Sequence, residues 1–170
     1  MSVIANTTVV SNFASIGRLD VLRQLYGTLY ISTEVYREIQ VGLEEGYRYY
    51  QGIDQLIHPL AAEGWIRLTS VTEEQELRVF SALPERLHYG EASSIAIAQH
   101  RGWYFLTDDL VARRQAVQLG VHVSGSVGCL VLAVERGLCQ PEQANDWLQQ
   151  MLQQGYWSPV EDLTLLIKRQ

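Results

Sequence analysis

The chain predicts an α/β fold, a mostly parallel sheet of four or five strands flanked by helices, in one domain over residues 1–170. Three observations predict it. Short β-rich runs alternate with helical patterns of apolar residues. With 170 residues, 47% of them hydrophobic and 19% charged, the chain can bury a sizeable core and lacks the composition of a disordered one. The apolar run Trp103–Leu106 ends in Thr107 and two carboxylates, Asp108 and Asp109, and α/β folds place their ligands at the C-terminal ends of parallel strands.

In chain order, Ser2–Ala5 is the first strand candidate. Val9, Phe13, Ile16, Leu19, Leu22 and Leu25 then recur at helical spacing, and Gly17 divides them into two short helices. Leu29–Ile31 is the second strand, and Thr33–Leu43 a helix with Val35, Ile39 and Leu43 on one face. Tyr47–Ala62 is ambiguous by pattern, and an inserted helix pair is one reading of it. Ile66–Leu68 is the third strand. Thr72-Glu73-Glu74-Gln75 has capping-box spacing, which starts a helix running to about Leu83. A turn at Pro84–Tyr89 precedes a helix, Gly90–His100, with Ala92, Ile95, Ala96 and Ala98 toward the core. Trp103–Leu106 and Val121–Val123 are the fourth and fifth strands, separated by a helix at Leu110–Leu119. Ser124–Gly128 leads into an apolar helix, Cys129–Arg136. Pro141 opens a helix running to about Gln154, and Ser158-Pro159 opens a last one in the same way.

Composition excludes several functions. A formal charge of −6 argues against bulk electrostatic binding of nucleic acid, so such contacts need a local basic patch or metal ions. Of the 13 basic residues all but Lys168 are arginine. No phosphate-binding Gly-x-x-x-x-Gly-Lys-Ser/Thr segment exists, and lysine Schiff-base chemistry would fall to a residue beside the C-terminus. Cys129 and Cys139 show no metal-binding spacing and read as buried free thiols. His58, His88, His100 and His122 show none with each other. The amides of Ser124–Gly128 could hold an anion, but without Gly-x-Gly-x-x-Gly a plain turn into a helix is favoured. No signal peptide or membrane-spanning run is visible, so a cytoplasmic protein with no membrane contact is expected.

Four places carry the chemistry: Asn6 after the first strand, Glu38 on the third helix, Glu91 opening a later helix, and Asp108/Asp109 after the fourth strand. Their order and settings resemble the PIN-domain nucleases, especially the toxin-like branch related to virulence-associated protein C. The carriers are Val3-Ile4-Ala5-Asn6-Thr7-Thr8, at the place of the family's strand-Asp-Thr-Ser start, then Gly17-Arg18-Leu19-Asp20 and Val35-Tyr36-Arg37-Glu38-Ile39. Gly90-Glu91-Ala92-Ser93-Ser94-Ile95-Ala96 and Leu106-Thr107-Asp108-Asp109 follow, with Ala112-Arg113-Arg114 behind. The resemblance covers about residues 2–135, with a C-terminal helical extension over about 140–170.

What the resemblance implies is a three-layer α/β/α sandwich that cleaves single-stranded RNA with Mg²⁺ or Mn²⁺. It implies metal ligands among Asn6, Glu38, Glu91, Asp108 and Asp109, with Glu38, Glu91 and Asp109 catalytic. The family's pattern is closest to Thr-x-Asp, which favours Asp109, while Asp108 stays an alternative ligand or a helix cap. Thr8, Arg113 and Arg114 are candidate contacts to substrate. Hard divalent cations prefer carboxylate oxygens and can activate a water for attack on phosphorus. Clustered acids without the cation should show raised carboxylate pKa values. The resemblance also implies a small antitoxin-type partner and a homodimer or higher oligomer. Tyr47 to Tyr50, Trp147, Tyr156 and Trp157 are candidate interface residues.

Each acid also has a structural reading: a helix cap for Asp108 or Asp109, a favourable charge at a helix start for Glu91, and an exposed ion pair for Glu38. Asn6 departs from the family pattern. At about 4 Å and an effective dielectric near 20, one missing charge removes on the order of 4 kcal/mol of attraction per unit cation charge, before desolvation offsets part of it. Two functions follow, a nuclease weakened at Asn6 or a catalytically silent PIN-like module that binds RNA or protein.

Overall fold

The computed structural model describes residues 1–167. Six parallel strands form its sheet: β1 (Val3–Ala5), β2 (Leu29–Ser32), β3 (Ile57–His58), β4 (Ile66–Thr69), β5 (Tyr104–Leu106) and β6 (Val123–Ser124). Their order is β3-β4-β2-β1-β5-β6, and every neighbouring pair is parallel. The chain builds outward from β1 in one direction, then returns to its other side with β5 and β6. The switch point of the topology therefore lies between β1 and β5, where open parallel sheets leave a crevice at their strand ends.

Among the described residues, six helices connect the strands, α1 (Thr7–Ser15), α2 (Leu19–Tyr26), α3 (Thr33–Glu44), α4 (Glu74–Ala82), α5 (Tyr89–Arg101) and α6 (Leu110–Gln118), and two follow β6, α7 (Ser126–Glu135) and α8 (Pro141–Gln153). Strand periodicity divides the core. Val3, Ala5, Leu29, Ile31 and Leu106 pack on one face with α1, α2, α3, α7 and α8. Ile4 and Phe105 face the other way, into a cluster with Ala92, Ile95, Ala112 and Ala116 from α5 and α6. Alternation along β1 and β5 thus produces the helix–sheet–helix sandwich. Gly17, at a φ of +69°, separates α1 from α2. Cys129 and Cys139 are free and buried, and burial pushes the Cys129 thiol up to about 12.

The elements depart from the sequence pattern in five places. Tyr47–Ala62 holds two single 3₁₀ turns, Arg48–Tyr50 and Ile53–Leu56, and then β3, a sixth strand two residues long; no helix pair forms. So short a strand has no readable alternation, and it exists through its pairing with β4. The capping box before α4 lies one residue later than its sequence spacing suggested: Glu76 accepts the Thr72 and Glu73 N–H groups. β6 starts at Val123, where Val121–Val123 reads as the strand by hydropathy. Helix α7 starts at Ser126, three residues before the apolar run, because Ser126 is anchored by Asp108.

Fifth, Ser158-Pro159 opens no helix within the described residues. Residues 159–167 are bends and turns, docked on α8 by Gln149 donating to the Glu161 carbonyl (2.7 Å) and Asn145 accepting from Leu163 N–H (2.8 Å). Backbone groups that a helix would pair internally are taken by those side chains. Residues 168–170 of the expected helix lie outside the described residues. Trp147 and Tyr50, two candidate interface residues, are buried in the chain's own core, while Tyr47, Tyr49 and Trp157 are exposed.

Candidate active site at the β1–β5 switch point

Asn6 leaves β1 and caps α1. It is buried, its Oδ1 accepts from Thr8 N (3.1 Å) and Thr8 Oγ1 (2.6 Å), and its Nδ2 donates to Thr107 Oγ1 at 2.7 Å. That last bond joins the ends of the two strands flanking the switch point. The same two threonines place the aspartates. Thr8 Oγ1 accepts from Asp108 N (3.0 Å) and Thr107 Oγ1 from Asp109 N (3.1 Å).

The aspartates then part. Asp109 caps α6, with Oδ1 accepting Ala112 N–H at 2.8 Å. Asp108 accepts from Asn12 Nδ2 (2.8 Å), Ser126 N (2.8 Å), Ser126 Oγ (2.5 Å) and Tyr156 OH (3.2 Å). Both Asp108 oxygens are therefore engaged, holding α1, α7 and the chain after α8 together. Such closeness depends on Gly125, where an added Cβ would lie 2.5 Å from Asp108 Oδ1.

Glu38 and Glu91 meet where α3 approaches the start of α5. Glu38 Oε1 accepts Gly90 N–H (3.2 Å) and Oε2 accepts the Thr7 hydroxyl. A Cβ at residue 90 would lie 2.7 Å from each of these oxygens, so glycine is what allows the approach. Glu91 is only 7% exposed, and its Oε2 accepts His88 N–H at 3.1 Å. Burial, then the charge of Asp109, and further the charge of Glu38, push the Glu91 carboxyl above its ordinary value; the bond from His88 opposes them. Burial is the largest cause of the rise, and the like charges of Asp109 and Glu38 add to it.

Glu38, Glu91 and Asp109 thus come from three separate segments into one field at the C-terminal edge of the sheet. Asn6, Thr8 and Asp108 lie in the network beneath them. Arg113 Nη2 donates to the Thr107 carbonyl (3.4 Å), and Arg114 is exposed on α6. Of the other residues in this network, Asn12 is not a candidate by sequence, Ser126 is read there only as part of a turn into a helix, and Tyr156 only as an interface residue. Thr7 and Thr107 are visible in the strand-end motifs; nothing in the local pattern marks Asn12, Ser126 or Tyr156 as a partner of Asp108.

A divalent cation is the group that the family resemblance implies for these residues. The three carboxylates suit it in donor type and charge, since a cation would offset both the burial and the like charges that raise Glu91. Among the described residues, no three His, Cys, Asp or Glu side chains form a ready-made metal cage. Asn6 brings no charge, and its amide is engaged by Thr8 and Thr107.

A family model described as a PIN domain matches residues 2–169, so the match runs past α7 through the C-terminal extension. The chain belongs to the PIN-domain family, a nuclease-type fold. No curated protein matches it. No helix among the described residues is long and apolar enough to cross a membrane.

Proposed function

We propose that the chain is a Mg²⁺- or Mn²⁺-dependent endoribonuclease acting on single-stranded RNA, weakened by Asn6. The observation that carries this reading is that Glu38 of α3 reaches the start of α5 at Gly90, where the charges of Asp109 and Glu38 act on buried Glu91. When bound, the divalent ion supplies an activated water for attack on a phosphodiester. Glu38, Glu91 and Asp109 are the residues that would hold it. Asp108, with both oxygens engaged by protein donors, positions the strand end beneath Asp109. Thr8 holds the Asp108 backbone, and Arg113 and Arg114 offer guanidinium groups to substrate phosphates.

The test is Asn6→Asp. Thr107 can both donate and accept, so its hydroxyl can give its proton to the new carboxylate while still accepting Asp109 N–H. The variant should therefore fold, bind Mn²⁺ more tightly and cleave a fluorogenic single-stranded RNA faster. Adding Asp109→Asn should abolish the gain, with strong non-additivity. A second reading, a catalytically silent module that binds RNA or protein, is favoured by the full engagement of the Asn6 amide. It wins if Asn6→Asp changes neither metal affinity nor cleavage.

On the family resemblance we assign the chain the role of toxin to a small antitoxin-type partner, working as a homodimer or higher oligomer. Exposed Tyr47 and Tyr49, stacked with ring centroids 5.7 Å apart, supply apolar surface for such contacts. Light scattering should give at least twice the 19.3 kDa chain mass at tens of micromolar; a clean monomer would refute self-association.

A further inference from the structure

We propose that Trp157, with Leu110 and Arg113, forms a stacking and phosphate-binding subsite for single-stranded nucleic acid beside the carboxylate site. The proposal deepens the nuclease reading and rests on it. Trp157 is 78% exposed, whereas Trp65 and Trp147 are buried and Trp103 lies against Tyr30 and Arg101. Trp157 is not an isolated exposed residue, because exposed Leu110 borders the same two cavities and extends the apolar surface. Its position is also held. Tyr156, the residue before it, donates its backbone N–H to the Met151 carbonyl and its hydroxyl to Asp108 Oδ1 (3.2 Å). The chain after α8 is therefore tied to the strand end that carries the acids.

Trp157 stands between two cavities of similar size. One, of about 420 Å³, is bordered by Thr8, Asn12, Asp108, Asp109 and Leu110. The other, of about 410 Å³, is bordered by Asp108, Leu110, Arg113 and the turn at Gly125. Both volumes fall within the range of about 300–1,000 Å³ typical of small-ligand sites. Trp157, Asp108 and exposed Leu110 border both spaces, while Asp109 borders only the first and Arg113 only the second.

A nucleotide in a single strand presents these same features to a protein. Its base has an apolar face that stacks on an indole, and its phosphate pairs with an arginine. A duplex cannot use this arrangement, because its bases are already stacked and only its backbone and groove edges are available. A protein partner would gain from the tryptophan but would have to cover the Arg113 charge. The cation beside the aromatic therefore favours nucleic acid as the occupant.

The experiment uses the full chain in a chelator, so that no metal-dependent cleavage intervenes. A fluorescein-labelled single-stranded uridine homopolymer is titrated by anisotropy, with single-stranded DNA and duplex RNA as parallel arms. The expected result is single-strand binding that Trp157→Ala weakens about 5- to 100-fold, while Trp157→Phe retains most of it. Arg113→Gln should lower the salt slope by about one. Equal affinity for RNA and DNA single strands supports stacking; preference for duplex overturns it. Wild-type binding that Trp157→Ala leaves unchanged also overturns it, as does loss of a protein partner with RNA binding intact. Melting and circular dichroism show whether each variant is folded, and Trp157→Phe and Arg113→Gln test the subsite even where Trp157→Ala is not. The nuclease reading fails by a separate route: Asn6→Asp without cleavage or metal binding, whatever Trp157 does.

Discussion

At the C-terminal end of α5, Arg101 closes on Glu76; at its N-terminal end, Glu91 faces Asp109 and Glu38. Both glutamates sit in the first turn of a helix and accept the N–H of the residue before it, so locally they are the same device. Glu76 is fully buried. Arg101 bonds it through Nε (2.6 Å) and Nη2 (3.2 Å) and reaches the Thr69 hydroxyl and the Ser70 carbonyl as well. Burial would raise the Glu76 carboxyl, but the Arg101 bond and the Thr72 and Glu73 N–H groups together hold it below its ordinary value. Glu91 has acids for neighbours and shifts the other way. One helix thus carries a compensated charge at one end and an uncompensated one at the other. A buried carboxylate whose charged neighbours are acids rather than an arginine marks this end of the helix as the candidate site.

Breaking the compensated end should give the largest effect. Arg101→Ala strands a buried carboxylate, and urea unfolding should show a loss of about 3–5 kcal/mol. The same variant should flatten the acid limb of stability against pH. A lowered folded-state pKa contributes stability that is present above the unfolded value near 4.5 and lost as pH falls through the folded one.

On the nuclease reading, adding a divalent cation at the other end should come next. Mn²⁺ at 100 times its dissociation constant should stabilise the wild-type chain by about 2.7 kcal/mol, read as a raised Tm. Glu91→Gln should lose that response. Metal stabilisation that survives Glu91→Gln would place the ion elsewhere.

A smaller effect is expected where Asp108 anchors the chain after α8. Tyr156→Phe removes one of four donors and should cost about 0.5–1.5 kcal/mol in denaturant unfolding. No loss would show that the tyrosine bond carries no stability.

The smallest effect has the most telling sign. A raised folded-state pKa contributes stability that is present below the unfolded value and lost as pH rises through the folded one. Glu91→Gln should therefore be slightly more stable than wild type at neutral pH, with the difference vanishing below the carboxylate range. Its amide oxygen can still accept His88 N–H, so the change isolates the charge. A destabilised Glu91→Gln would mean that Glu91 is compensated after all.

Much of this contrast is legible in the sequence, and the boundary is physical. Apolar alternation in Val3–Ala5 and Phe105–Leu106, and helical spacing from Val9 to Leu25, identify elements because burial on a strand or helix face imposes those periods. β3 escaped because two residues have no period. The turns after Ser158 escaped because Asn145 and Gln149 on α8 take backbone groups that a helix would have used. At the site, Glu38, Glu91 and the aspartate pair are visible as residue types in order. Which aspartate faces the acids is not visible, because Asn12, Ser126 and Tyr156 reach Asp108 from up to 96 positions away in the chain.

The sequence by itself determined the α/β class and the mostly parallel sheet, because alternating strand and helix periods are written in neighbouring residues. The acidic positions and the missing charge at Asn6 were legible only through the family resemblance. Only the tertiary structure decided that Asp108 is engaged while Asp109 faces Glu91, that Asn6 joins β1 to β5, and that Glu76 and Glu91 carry opposite shifts. Those outcomes depend on which charges and donors the folded chain brings within a few ångströms, where burial removes the water that would otherwise screen them.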